Sequence, residues 1–410
     1  MRIAVVSDYE TNGGAAIAAT RLLREFAREG HEIRRFVFSP DKQRYGWTVD
    51  LGGPLPSSLP FRLVRKIAPR AVSYWMHGRS LRDLRKALIE FAPDVIHIHN
   101  LHSAWWTGAP NEVLHVCREV APVVWTLHDM WSFTGCCAYS LECDAFLSDC
   151  SHDCPLARQY YPFRQRLVPG EWRKKRQALQ SVPDAVAVAP SRWLAGLARK
   201  GLWRDHRVEV VANGIDPSTY SPTDRPSNRR RFGLQAGAPV ILASFNSTPP
   251  YKGAEILMRL LDRYKGQLLQ WVFLGSHLPK EYLAYSNVHS IGYLCDERDK
   301  SALFGCADLY IHASLAENLP NIIIECMLCG TPSLGFNVGG VSELIRPDQT
   351  GWLAKQPTLE GLEAGLFAAL QSGFPEQMRS SCRTFAVANF SAHTQARKYL
   401  NIFEEIIGRA

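Results

Sequence analysis

Between Asp308 and Gly335 the chain reads as strand, loop, helix, strand. Asp308-Leu-Tyr-Ile-His-Ala is an apolar run of strand length, and Ser314-Leu-Ala-Glu-Asn-Leu-Pro-Asn is a polar loop. Ile322 to Leu328 has the pattern of an amphipathic helix, which Cys329-Gly330-Thr331-Pro332 ends before the next short strand. The same alternation fills the chain. Ile3–Ser7, Glu32–Phe38, Val95–His99, Val123–Leu127 and Ala185–Val188 read as strands. The pattern restarts with Val240–Phe245, Leu269–Leu274, Val288–Ile291, Leu309–Ile311 and Pro332–Gly335. Strands alternating with helices predict open parallel sheets with helices on both faces. At 410 residues the chain exceeds what one hydrophobic core covers, so two such domains are expected. The turn-rich stretch Asn213-Gly-Ile-Asp-Pro-Ser-Thr-Tyr-Ser-Pro-Thr-Asp-Arg-Pro reads as the linker between them.

Two carboxylates mark the opening stretch, Glu317 in its loop and Glu325 eight positions later in its helix. The start of that helix offers unpaired backbone N–H groups and the positive end of a dipole, which suits a phosphate. A carboxylate so close would repel a phosphate, unless it accepts hydrogen bonds from something neutral such as ribose hydroxyls. Phosphate on the amides and sugars on the carboxylates describe a nucleotide-sugar site.

Charge and cysteine usage narrow the setting. No run of roughly 18 apolar residues appears, so no membrane-spanning helix is expected. Met1-Arg-Ile-Ala-Val-Val leads straight into a strand and leaves no room for a signal peptide. The cytoplasm is the default expectation, where eleven cysteines are thiols or metal ligands more often than disulfides. The formal charge of +8 is concentrated. Phe61 to Leu88 holds Arg62, Arg65, Lys66, Arg70, Arg79, Arg82, Arg85 and Lys86 against the single acid Asp83, with Tyr74 and Trp75 among them. Tyr160 to Arg176 adds Arg164, Arg166, Arg173, Lys174, Lys175 and Arg176 around Trp172. Such segments suit an anionic membrane surface, or form solvated faces beside an acidic substrate. No nucleic-acid-binding motif accompanies them, so nucleic acid is not expected as a partner.

The spacing Glu317-x7-Glu325, followed by Gly330-Thr331-Pro332, Gly339-Gly340, Glu343 and Thr350-Gly351, resembles the C-terminal half of the GT-B retaining glycosyltransferases of family 4, the "group 1" transferases. The resemblance extends to Gly13-Gly14, Thr126-Leu-His-Asp129, Ser191, Asn213-Gly-Ile-Asp216, Lys252-Gly253 and Gly292-Tyr293. It implies an α/β fold of GT-B type, two Rossmann-like doubly wound domains facing a central cleft. Residues 1–212 would form the acceptor-binding domain, with a cysteine-rich insert at 136–154, and residues 213–390 the nucleotide-sugar-binding domain. Residues 391–410 would be a helix crossing back onto the first domain. The implied reaction moves a sugar from a nucleotide-diphosphate donor to a saccharide, polyprenyl-linked in surface-polysaccharide assembly. The rival readings are a glucan synthase or phosphorylase-like enzyme and a non-catalytic glycan-binding module.

The resemblance also distributes roles. Gly13 and Gly14 follow the first strand, where glycine lets a backbone approach a phosphate without a Cβ in the way, and the family uses that turn near the donor diphosphate. His128 ends an apolar strand and would face the transferred sugar. Lys252 would hold the diphosphate and stabilise the departing nucleotide. Its usual partner is an arginine about five residues earlier, and here Ser247 stands there with Asn246 beside it. Tyr293 and Leu294 would meet the nucleobase, Asn318, Leu319, Pro320 and Asn321 the phosphate through their amides, Glu325 the ribose, and Glu317 hydroxyls of the donor sugar. Front-face displacement is implied, with the leaving phosphate as base and no cofactor required for the chemistry. His97 and His99 share a strand face, and with His102 suggest acceptor contact or plain packing. Cys137, Cys143, Cys150 and Cys154, beside Cys136, read as four ligands of a structural zinc ion, as a loop of reduced thiols or, third, as disulfides.

Overall fold

The computed structural model describes residues 1–39, 45–51, 69–101, 110–151, 153–154, 156–157 and 165–408. The chain divides into two compact units, Met1–Val211 with Gln395–Ala410, and Ala212–Thr394. In the first, β1 (Arg2–Tyr9), β2 (Glu32–Ser39), β3 (Thr48–Asp50), β4 (Val95–Ile98), β5 (Val123–Thr126), β6 (Val186–Ala189) and β7 (Arg207–Val210) form one sheet in the order β3-β2-β1-β4-β5-β6-β7. In the second, β8 (Val240–Phe245), β9 (Gln270–Gly275), β10 (Val288–Gly292), β11 (Leu309–His312), β12 (Ser333–Phe336) and β13 (Gly351–Ala354) run β10-β9-β8-β11-β12-β13. Every pairing in both sheets is parallel.

Strand periodicity divides each sheet between two cores. Ala4 and Val6 of β1 join Ile96, Ile98, Leu84 and Leu88 on one face, while Ile3 and Val5 join Val95, Val124 and Val188 on the other. The helix Ala392–Ile407 completes that second core with Tyr399, Leu400, Phe403 and Ile406. The strand order reverses between β1 and β4 in one sheet and between β8 and β11 in the other. Connections leave those neighbouring strands toward opposite faces, which opens a crevice at the carboxyl ends.

Three strands escape the sequence pattern, β3, β7 and β13, and each lies at the edge of its sheet. The residues of β3 are only half-buried, and Arg207-Val-Glu-Val of β7 carries two ion-pairing side chains, so neither shows a continuous apolar run. The expected linker is an ordered part of the second unit. Ile215 and Tyr220 are each 1% exposed. The Ile215 N–H donates to the Phe390 carbonyl at 2.9 Å, and Arg383 donates to the carbonyls of Tyr220 and Pro217. Turn-forming residues end regular structure there without preventing burial of the apolar side chains between them. The helix expected at Ile322–Leu328 starts at Asn321 and is buried nearly all round rather than amphipathic, with Ile323 through Leu328 inside. It packs between the sheet and the helices Glu297–Cys306 and Glu376–Phe390. Among the described residues no helix is long and apolar enough to cross a membrane.

Candidate functional site

At the reversal point of the second sheet, the loop after β8 presses on the loop after β11. Gly253 makes this approach possible: it has φ of 73°, and a Cβ there would come within 1.8 Å of the Ala313 carbonyl oxygen. The Leu315 N–H donates to the Tyr251 carbonyl at 2.7 Å and ties the loops together. Gly339, after β12, does the same from the other side; its φ is 55°, and a Cβ would lie 1.7 Å from the Glu317 carbonyl oxygen. Any other residue at either position would push the loops apart.

The contact delivers Lys252 to Glu317, with Nζ 2.8 Å from Oε2. The Glu317 side chain is 12% exposed and that of Lys252 29%. His312, the last residue of β11, places Nε2 3.7 Å from the same carboxylate oxygen. Its Nδ1 meets the Tyr310 hydroxyl at 3.2 Å, which in turn meets Ser244 Oγ at 3.2 Å. Burial pushes the Glu317 carboxyl up, but the Lys252 ammonium and the His312 ring beside it outweigh burial and hold it at about 2. A carboxylate this acidic stays ionised at neutral pH and is a poor proton acceptor, since a general base works best with a pKa near the operating pH. It remains a strong hydrogen-bond acceptor.

Apart from Gly13 and Gly14, which lie in the first unit, the other expected donor-site residues belong to the same unit as this pair. Glu325 lies one turn into the helix Asn321–Leu328 and is buried. Burial raises the pKa of the Tyr310 hydroxyl, and the nearby Cys326, Glu317 and Glu325 add to that rise. Asn321 opens the helix, and its Oδ1 accepts from Asn213 Nδ2 at 2.9 Å. Asn318 and Leu319 are buried. The expected set of phosphate-binding amides needs one correction: Pro320 has no N–H, and it serves instead as the helix boundary, its carbonyl accepting from Ile323 at 3.1 Å. Tyr293 follows Gly292 at the end of β10, is 73% exposed, and donates its hydroxyl to Asn246 Oδ1 at 3.3 Å. Ser247 is exposed and Leu294 half-buried against the core. Sequence reasoning misses His312, Tyr310 and Asn213. The first two sit inside an apolar strand, where a polar residue near the carboxyl end is the only signal.

In the first unit the carboxyl ends of β4 and β5 carry the histidines. His99 Nδ1 lies 2.9 Å from His128 Nε2, and the two rings stack at 5.2 Å between centroids. His97 Nε2 meets Thr126 Oγ1 at 2.7 Å, which meets the Tyr399 hydroxyl at 2.7 Å. His97 is therefore a tether for the C-terminal helix. His102 lies outside the described residues. Gly13 precedes the helix Gly14–Arg28 with φ of 87°, and a Cβ on Gly13 or Gly14 would meet nothing within 4 Å. The backbone conformation, not crowding, demands glycine at position 13.

All eleven cysteines are free thiols. Cys136, Cys137, Cys143, Cys150 and Cys154 line one cavity of about 30 Å³. The Gly135 N–H donates to Cys150 Sγ at 3.2 Å. Burial pushes the Cys150 thiol up to about 12, while the hydrogen bond from Cys136 draws the Cys137 thiol down. Among the described residues no three His, Cys, Asp or Glu side chains are already arranged to hold a metal ion. Lys175, part of a basic surface by its sequence, is buried beside this cavity and donates to the carbonyls of Trp131 at 2.6 Å and Thr134 at 2.8 Å. Trp172 is buried as well. Residues 160–164 of that basic segment and 61–68 of the other lie outside the described residues, as do the side chains of 69–77.

Two parallel α/β units, each with polar residues gathered at its reversal point, are doubly wound domains of the kind that bind ligands at the carboxyl ends of their strands. The match to known proteins is specific. The family model Glycosyltransferase Family 4 covers residues 12–219, and Glycosyl transferases group 1 covers residues 224–386. The chain belongs to glycosyltransferase family 4 and is a glycosyltransferase. It is 23% identical over 325 residues to the putative colanic acid biosynthesis glycosyl transferase WcaC of Escherichia coli, a match spanning 77% of each chain. Sucrose-phosphate synthase from Thermosynechococcus elongatus superposes with a TM-score of 0.75 at 15% identity over all of both chains. Anabaena HepE in complex with UDP and glucose does so with a TM-score of 0.67 at 16% identity, over 99% of this chain and 100% of its own. The fold is GT-B.

The depressed Glu317 carboxyl makes a stability prediction. Its contribution is complete above the ordinary carboxyl value of 4.5 and is lost as pH falls through about 2. Glu317→Gln should therefore unfold at a lower temperature than the parent at pH 6, by an energy on the order of 3 kcal/mol or less. The gap should narrow as the pH falls below about 4.5. Calorimetry from about pH 6 to about pH 3 that shows a constant gap would disprove the pairing.

Proposed function

We propose that this glycosyltransferase moves a hexose from a nucleoside-diphosphate donor to a saccharide acceptor with retention of configuration, in the assembly of a lipid-linked surface polysaccharide. The observation that carries this reading is the Lys252–Glu317 pair, a buried carboxylate kept anionic by a cation that has its own path to solvent. Glu317 is then a hydrogen-bond acceptor for hydroxyls of the donor sugar, and Lys252 turns to the diphosphate. With Glu317 so acidic and so engaged, the leaving phosphate is the better base. It takes the proton of the acceptor hydroxyl as the anomeric C–O bond to phosphate breaks and the new glycosidic bond forms on the same face. The protein contributes position and electrostatics. Glu325 binds ribose hydroxyls, the amides at the start of the helix Asn321–Leu328 bind phosphate, and Tyr293 with Leu294 borders the base. In the first unit His128 faces a sugar hydroxyl. The similarity to WcaC, named for colanic acid biosynthesis, supports the polysaccharide setting. The complex of HepE with UDP and glucose supports a nucleotide-sugar donor.

The test is kinetic. Lys252→Ala should lose about 10²-fold or more in turnover, the usual scale for a preorganised charge at a leaving group. Glu317→Ala should lose transfer while free nucleoside diphosphate still binds, whereas Glu325→Ala should weaken donor and free nucleotide alike. Equal loss of nucleotide affinity in both glutamate variants would refute the division of roles, and a product of inverted anomeric configuration would refute the mechanism.

A lipid-linked acceptor places the enzyme at a membrane surface, and the basic segment Phe61–Leu88 supports this reading. Within its described part Arg79, Arg82, Arg85 and Lys86 are exposed. Arg79, Arg85 and Lys86 are partly neutralised by Asp83, Glu119 and Glu90. Binding to vesicles is expected to increase with anionic lipid and to fade with salt. Co-sedimentation indifferent to both would exclude it.

A structural zinc ion in the thiol cavity belongs to the same reading. Five sulfurs line one cavity, and the N–H donated to Cys150 and the buried Lys175 cation near Cys137 oppose the burial that holds Cys150 protonated. Zinc would draw Cys137, Cys143, Cys150 and Cys154 together and release their protons, with Cys136 as an alternative ligand. Purified protein should carry about one zinc per chain, as a single four-ligand site requires. Zinc-free protein with all five thiols titratable would leave the cavity as a plain thiol cluster.

A further inference from the structure

His99 has one hydrogen bond to give and two ring nitrogens to place. Its Nδ1 lies 2.9 Å from His128 Nε2. Its Nε2 is buried and has no hydrogen-bond partner among the described residues. The ring is 2% exposed, and it packs 4.2 Å from the His97 ring, centroid to centroid. Burial first, then the neighbouring imidazoles and Arg35, keep it neutral. A neutral imidazole carries a single proton. On Nε2, that proton would be a buried N–H with nothing to bond, the rarer and costlier kind of orphan. On Nδ1, it would be donated to His128, and only a lone pair would be left without a partner.

We propose that His99 is a positioning residue: it donates Nδ1–H to His128 Nε2 and so holds His128 in the tautomer protonated at Nδ1. His128 then offers its ligand a hydrogen-bond donor, not an acceptor. That choice selects the oxygen it can serve, a lone pair of a sugar hydroxyl or of the departing phosphate, and it lets the ring stabilise negative charge without being charged itself. The cavity lined by His99, Asn100, His128 and Asp129 is where such a ligand atom would enter. The proposal rests on the reading that His128 faces a sugar, but the tautomer itself does not.

Histidine-selective ¹⁵N labelling of the full chain, with long-range nitrogen–proton correlation, reads both tautomers directly, and His128→Gln assigns the signal. The parent should show His128 protonated at Nδ1 and His99 protonated at Nδ1. His99→Leu, which has no donor, should release His128 into exchange between tautomers. It should lower kcat about tenfold, the scale of one lost hydrogen bond, with the KM for donor little changed. His99→Asn, whose amide N–H stands near the place of Nδ1, should restore both the tautomer and most of kcat. A parent spectrum with His128 protonated at Nε2 overturns the proposal whether or not the variants fold. So does an identical His128 signal in the parent and in His99→Leu. If the tautomer is as stated but His128→Ala turns over normally, the assignment of His128 to a sugar fails and the role of His99 stands.

Discussion

In each sheet the strands on either side of β1 or β8 send their connections to opposite faces, and the loops that part there leave a gap that no regular backbone fills. The polar residues gathered in each unit follow from that constraint. In the second unit Lys252 comes from the loop after β8 and Glu317 from the loop after β11; in the first, taken by itself, His99 comes from the end of β4 and His128 from the loop after β5. Parallel strands bury both faces, so the carboxyl ends are where a strand can pass from an apolar core to a polar task. Tyr310 and His312 show the transition within a single strand, side chains on one face of β11 linked by one hydrogen bond.

The Lys252–Glu317 pair is poor evidence of selection for stability. Taking two charges out of water costs several kcal/mol per ion, and an apolar pair of similar volume would often serve the fold as well. What the pair achieves is a charge balance that a ligand can rearrange. In the function proposed above, an arriving diphosphate would compete with Glu317 for the ammonium, and a sugar hydroxyl would replace the ammonium on Glu317. Such an exchange would keep both charges compensated, and removing either partner alone should cost more than the pair is worth. Two close backbone approaches, at Gly253 and Gly339, hold the loops in the register this requires.

Much of this is legible in the sequence, for a physical reason in each case. The central strands announce themselves because burial on both faces demands a continuous apolar run, as in Val240–Phe245. Edge strands such as β7 need no such run and leave no comparable mark. Spacing finds Glu317 and Glu325, and the family resemblance points to Lys252, but neither shows the contact of Lys252 with Glu317, because that depends on tertiary approach at Gly253 and Gly339. Asn213 reads as linker because turn formers surround it, although it reaches Asn321 and is 7% exposed. Lys175 reads as surface because a run of charges says nothing about which member turns inward.

Lys175 and Lys252 show how the same residue type is divided between a structural and a ligand-facing task. Lys175 is 3% exposed, lies 3.6 Å from the centre of the Trp131 ring, and gives its protons to carbonyl oxygens. Burial draws its pKa down to about 8, and the Glu171 carboxylate with the neighbouring thiols only partly restores it. Carbonyl dipoles are fixed by the backbone and cannot be exchanged for a ligand, so Lys175 is held in place and braces the loop that follows His128. Lys252 faces a carboxylate instead, on a side chain 29% exposed. A mobile counter-charge and access to solvent are what a cation needs if it is to change partners. The fold gives those to Lys252 and withholds them from Lys175.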